Sequence, residues 1–142
     1  MAYFSTRRAR IRSIMKKLLL FIGAAVIFTL SAFTPKSGLD DVISALRSGN
    51  ATEFAKYIDD NVEISLPSKS DMYSRSQAVM ILQDFFSANG VRGFELKHKG
   101  DSNGNQFCIG TLQTKAGAFR TTVFMVSKNG RQLVKEIRFQ SK

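Results

Sequence analysis

Tryptophan is absent from the 142 residues, cysteine and histidine occur once each, and there are two prolines. A single cysteine, Cys108, excludes an internal disulfide, so packing alone must hold the fold. A single histidine, His98, with no second His and no Cys beside it, does not make a metal site, and no metal or cofactor is expected. The glycines at 100, 104, 110, 117 and 130 sit at turn or bulge positions and form no phosphate-cradling loop. No Ser-His-Asp or Cys-His arrangement can be assembled. There are no repeats, no low-complexity tract and no sign of a second domain.

Long apolar runs are equally scarce. The longest, Leu18–Leu30, falls short of the about 20 residues that a membrane span needs. Arg7, Arg8, Arg10, Arg12, Lys16 and Lys17 precede it, and Ser31-Ala32 follow with a small residue at the cleavage point. This is the pattern of a secretory signal peptide over 1–32, so the protein is expected to be exported, periplasmic or extracellular. It would meet the membrane only in transit; a retained anchor is the alternative. Met15, directly before Lys16-Lys17, offers a second possible start. Six of the 21 Lys+Arg belong to this segment, leaving 15 against 11 Asp+Glu, or +4. That excess is ordinary solvation and not a nucleic-acid footprint.

Residues 33–37 read as a linker and 38–142 as one domain. Leu39, Val42, Ile43 and Leu46 fall at helical spacing, with Asp40 and Asp41 in the first turn, and Gly49 stops the helix. Asn50 with Glu53 caps a second, shorter helix through Phe54, Ala55, Tyr57 and Ile58, ended by Asp59-Asp60-Asn61. Val62, Ile64 and Leu66 alternate as a strand closed by Pro67, and residues 68–71 read as a loop. Ser74 with Gln77 opens the longest helix, carrying Ala78, Ile81, Leu82 and Phe85, with Gly90 beyond its end.

Four strand-like runs follow between Phe94 and Phe139, joined at Asn103-Gly104, Ala116-Gly117 and Asn129-Gly130. Two-residue loops would pair Ser102 with Asn105, Lys115 with Ala118 and Lys128 with Arg131. One face then carries Phe94, Leu96, His98, Phe107, Ile109, Phe124, Val126, Leu133, Ile137 and Phe139, interrupted by Thr111, Gln113, Arg120, Thr122 and Lys135. This is the face expected beneath the helices. The other face has charged flanks and an apolar centre of Cys108, Leu112, Phe119, Val123 and Met125, of which Cys108, Leu112, Val123 and Met125 form a candidate dimer surface.

The class is therefore α+β: three amino-terminal helices on a curved, mostly antiparallel sheet, in the order α-α-β-α-β-β-β-β. That order, with the Asp59-Asp60-Asn61-Val62-Glu63 lead into an edge strand and the bent meander, resembles the nuclear transport factor 2-like superfamily. These are cystatin-like cones that include the ketosteroid isomerases. The resemblance covers about Leu39 to Gln140 and is nearest to small secreted members with only a domain-of-unknown-function designation. It implies a pocket between sheet and helices, and dimers through the outer sheet face. It also implies a general-base aspartate just after Val62-Glu63, where this chain has Ile64-Ser65-Leu66. A second acid belongs on a meander strand, and the face of 107–113 and 120–126 expected to point inward has no Asp or Glu. With neither base nor oxyanion donor, the isomerase reading falls.

Candidate ligand contacts remain. His98 is either a core or rim histidine donating to a carbonyl, or the polar handle of a pocket. Lys135 shares its predicted row about 14 Å away and either brackets a ligand or snorkels from the edge. Arg120, predicted opposite Gln113, could take a carboxylate bidentately or simply be solvated. Tyr57 and Tyr73 line a pocket mouth or pack on the core. The expected function is an exported non-catalytic domain that binds a small apolar or amphipathic ligand or a protein partner. The alternatives are an enzyme using His98 as acid or base, and a dimeric structural module.

Overall fold

The computed structural model describes residues 38–142. The segments expected to be a signal peptide (1–32) and a linker (33–37) lie outside the described residues. The elements are α1 (Gly38–Ser48), α2 (Ala51–Ala55), β1 (Ile58–Ser65), β2 (Ser70–Ser74), α3 (Arg75–Asn89), β3 (Val91–Ser102), β4 (Asn105–Thr114), β5 (Gly117–Lys128) and β6 (Arg131–Ser141). The strands form one sheet in the order β2-β1-β6-β5-β4-β3. Only β1 with β6 is parallel; every other pair is antiparallel.

The helix ends follow the local chemistry. Ser74 accepts from the Gln77 amide while the Gln77 side chain accepts from the Ser74 amide, so two orphan donors are satisfied at the start of α3. Gly90 closes α3 at φ 68°, and Asn50 caps α2 through the Glu53 amide. Asn103-Gly104 and Asn129-Gly130 both have positive φ at each residue, which is the two-residue turn their sequence requires.

Two elements differ from the sequence expectation. The second helix ends at Ala55, so Ile58 to Asn61 are extended and belong to β1. Ser70–Ser74, expected as loop and helix cap, is a short edge strand paired to β1.

The larger correction concerns the sheet faces. The helices cover the face of Cys108, Leu112, Phe119, Val123 and Met125, joined by Phe94, Val134, Ile137 and Phe139. Two bulges explain this. Lys97 interrupts the β3–β4 register, so His98 faces Ile109 as expected but Leu96 faces Gly110 and Phe94 faces Leu112. Lys135 interrupts β5–β6, so Met125 faces Val134 and Val123 faces Ile137. Each bulge carries outer-strand apolar residues to the other face. In the second turn Thr114 faces Gly117, a slip of two residues that leaves face membership unchanged. Cys108, Leu112, Val123 and Met125 are therefore fully buried core and offer no dimer surface.

The core is aromatic where α3 meets the sheet. Phe85 packs its ring 5.3 Å from Phe119 and 4.6 Å from Phe139, and Phe86 meets Phe139 edge-on at 6.1 Å.

Candidate functional site

Because the helices occupy one face, the other is left with the residues that were expected beneath them. Cross-strand pairing builds it row by row. One row runs His98, Ile109, Thr122, Arg138, Ser65 and Ser70; the next runs Gly100, Phe107, Phe124, Glu136, Glu63 and Met72. Val126 faces Leu133 beyond them. The result is an apolar strip of the half-buried Phe107, Ile109 and Val126 and the exposed Phe124, with the buried Leu133 at its end, on strands that carry no helix there among the described residues. Phe124 is 38 % exposed at its centre. Phe107 lies over Gly100, where an added Cβ would come within 2.5 Å of its ring.

Charge surrounds this strip. Glu136 is bound by Arg138 at 2.7 Å, and Glu63 is its neighbour across the parallel pair. On the next row Arg120 stands between Thr111 and Gln140 and makes no ion pair among the described residues. Glu95 and Lys97 pair with each other, and Lys97 holds the Glu95 carboxyl below the usual range.

The proposed ligand contacts do not converge. His98, Gln113 and Arg120 share the uncovered face and are exposed, so none can wall a hollow under the helices. Gln113 faces Ala118, and Arg120 faces Thr111, so the expected Gln113–Arg120 pairing is absent. Arg138, not Lys135, occupies the row of His98. Tyr57 donates its hydroxyl to Asp41 at 2.7 Å; that bond, with burial and the two nearby carboxylates, raises its pKa. Tyr73 lies at the opposite sheet edge beside Gln77 and Ile81.

Lys135 instead reaches Asp59. This carboxylate has a side chain only 5 % exposed and meets Lys128 at 3.2 Å and Lys135 at 3.4 Å. It also accepts from the Asp60 amide at 2.8 Å, which is the main cause of its lowered pKa; burial opposes, and Lys128 and Lys135 add to the lowering. Held ionised between two ammonium groups, Asp59 is suited to joining β1 to β6 and unsuited to accepting a substrate proton. Cys108 is equally quiet, its thiol pushed up to about 11 by burial.

Residues missed at the sequence level were Asp59, read as a helix terminator, and the outward role of Phe107, Ile109, Phe124, Val126 and Leu133. The adjacent apolar pair Leu133-Val134 was the available signal: two neighbours cannot share one face of a regular strand, so a change of phase lies beside them.

Residues 39–140 match the family described as Domain of unknown function (DUF4783). No curated protein matches the chain. The solved structure of a DUF4783 family protein from Bacteroides ovatus is 32% identical, with TM-score 0.70, over 72% of this chain and 93% of that one. One from Bacteroides uniformis is 30% identical, with TM-score 0.71, over 72% and 95%. An NTF2-like protein of unknown function from Cytophaga hutchinsonii shares the fold at TM-score 0.55 and 8% identity, over 78% and 95%.

Proposed function

The chain belongs to the DUF4783 family and has the NTF2-like fold, and on that basis we propose that it is an exported, non-catalytic domain whose uncovered sheet face binds a protein partner. The observation that carries this reading is the strip of Phe107, Ile109, Phe124 and Val126, bordered by Leu133, on the face that no helix of the described residues covers. An apolar patch rimmed by charge is the pattern of a protein interface.

A small-ligand reading has less support, because His98, Arg120 and Gln113 stand on the exposed face and the helix-covered side is packed with interlocking rings. Catalysis by His98 lacks an orienting partner: no hydrogen bond or ion pair of its side chain joins it to another described residue. Export rests on the arginine- and lysine-led apolar segment 7–32.

A second copy of the chain is one form the partner can take. Arg138 lies one row from Glu136 and Glu63, and Arg120 one row beyond Arg138 on the next strand, so a two-fold arrangement could set cations of one copy against carboxylates of the other. Sedimentation of the wild-type chain and of Phe124→Lys tests both forms. If the partner is a second copy, the wild type sediments as a dimer and the variant as a monomer with unchanged circular dichroism. If it is another protein, the wild type is monomeric and Phe124→Lys alone loses the complex recovered by cross-linking in the native host. A complex that survives Phe124→Lys in both settings rejects the face.

A further inference from the structure

The sheet has two free edges, and they are built differently. The β3 edge carries Arg92, Glu95, Lys97, Lys99 and Asp101 and is broken by register shifts at Val91–Gly93 and Leu96–His98. Charges and bulges of this kind keep other strands away. The β2 edge is guarded less, with one charge, Asp71, and no bulge. Its pairing with β1 is regular from Ser70 to Ser74, it contains no lysine or proline, and among the described residues nothing pairs with its outer side.

Hydrogen bonds show which way β2 points. The Met72 amide donates to the Asp71 carboxylate at 2.8 Å, and the Ser74 amide donates to Gln77 at 3.1 Å. Both donors, alternate residues of the strand, are therefore taken by side chains and not by β1. The Met72 donor is the one that an added strand would use, with Asp71 holding its place.

Apolar surface flanks the edge on both sides. Met72 is 52 % exposed on the uncovered face. On the helix side, Tyr73, Gln77, Met80, Ile81 and Asp84 line a groove of about 180 Å³, with Met80 63 % exposed. An extended chain beside β2 would alternate its side chains between this groove and Met72. Asp71 and Asp84 have no ion-pair partner among the described residues, whereas the two flanking cations are engaged, Lys69 over the Tyr73 ring at 5.9 Å and Arg75 on Asp60 at 3.2 Å. The local field favours a basic guest.

The geometry points to the β2 edge and its α3 groove as a peptide-binding site, distinct from the sheet face, that takes an extended partner segment of alternating apolar residues flanked by Lys or Arg as a seventh strand. The guest's backbone replaces the Asp71 carboxylate at the Met72 amide, one apolar side chain enters the Tyr73–Met80–Ile81 groove, and its cation meets Asp71 or Asp84.

The test is selection of a random library of short displayed peptides on the immobilised full chain. Selected peptides should show period-two apolar residues with a basic flank. Their binding should weaken at least about tenfold, near 1.4 kcal/mol, in Met72→Pro, which removes the outward amide without touching a bond to β1, and separately in Met80→Lys. Phe124→Lys should leave it unchanged, which separates this site from the sheet face. The inference is overturned by no selected peptide, by peptides without alternation, or by binding indifferent to both edge variants. It is overturned equally if Met72→Pro turns a dimer into monomers, since the guest is then a second copy, or if Met80→Cys cross-links to the chain's own residues 1–37.

Discussion

The Lys135 ammonium sits 3.4 Å from the Asp59 carboxylate, joining β6 to the start of β1 across the parallel pair. The bulge that leaves Lys135 unpaired in the β5–β6 ladder frees it for that contact. The same bulge moves Ile137 and Phe139 to the helix side. One irregular residue therefore supplies both an ion pair and the choice of covered face.

Removing this carboxylate should cost stability. We expect Asp59→Asn to lose roughly 1–2 kcal/mol in urea unfolding, less than a fully buried pair because both lysines are half exposed. The folded pKa lies below the ordinary 3.8, so the stabilisation is complete above that value and lost as pH falls through the folded one. Between neutral pH and pH 3 the wild type should lose more stability than Asp59→Asn; equal losses would remove Asp59 from the account.

Two glycines should respond differently to a methyl group. A Cβ at Gly110 would collide with the Glu95 carbonyl and the Phe94 ring in the core. At Gly100 it meets only the Phe107 ring, which lies on the uncovered face and can swing away. Gly110→Ala should cost about 1–3 kcal/mol and Gly100→Ala clearly less. Thermal melts of the two variants would show the order.

Truncations should separate the faces. Met125→Ala and Leu112→Ala remove fully buried side chains and should each cost about 2–5 kcal/mol. Phe124→Ala, on the adjacent residue but the opposite face, should cost about 1 kcal/mol or less. Denaturant midpoints measure all three, and similar losses at 124 and 125 would mean that both faces are covered.

Local chemistry carried much of this architecture in the sequence itself. The Ser74–Gln77 box, the Gly49 and Gly90 stops and both Asn-Gly hairpins follow from single residues whose φ or side-chain oxygen is decisive. The face of the sheet was not legible in this way. Phe94, Leu96, Ile137 and Phe139 weighted the wrong side, because alternation counted through Lys97 and Lys135 assumes no bulge. The central strands held a better guide: among Cys108, Leu112, Phe119, Val123 and Met125 stands one polar residue, Thr121, whereas Thr111, Gln113, Arg120 and Thr122 break the other face. Strand β2 escaped because Met72 and Tyr73 are too few to set a period, and its pairing with β1 is a long-range fact. His98, Gln113 and Arg120 share one face as expected, but that face is the solvent side and Gln113 and Arg120 are not paired.

Thiol labelling tests the face assignment on which the functional reading depends. In the native wild type, Cys108 should stay unreactive to a maleimide reagent at neutral pH and react only on unfolding. In Phe124→Cys combined with Cys108→Ala, the new thiol should react at once in the native chain or, where a second copy covers the face, as soon as dilution gives the monomer. Ready labelling of native Cys108, with a thiol at 124 protected in the monomer, would place the helices on the other side of the sheet and remove the proposed partner surface.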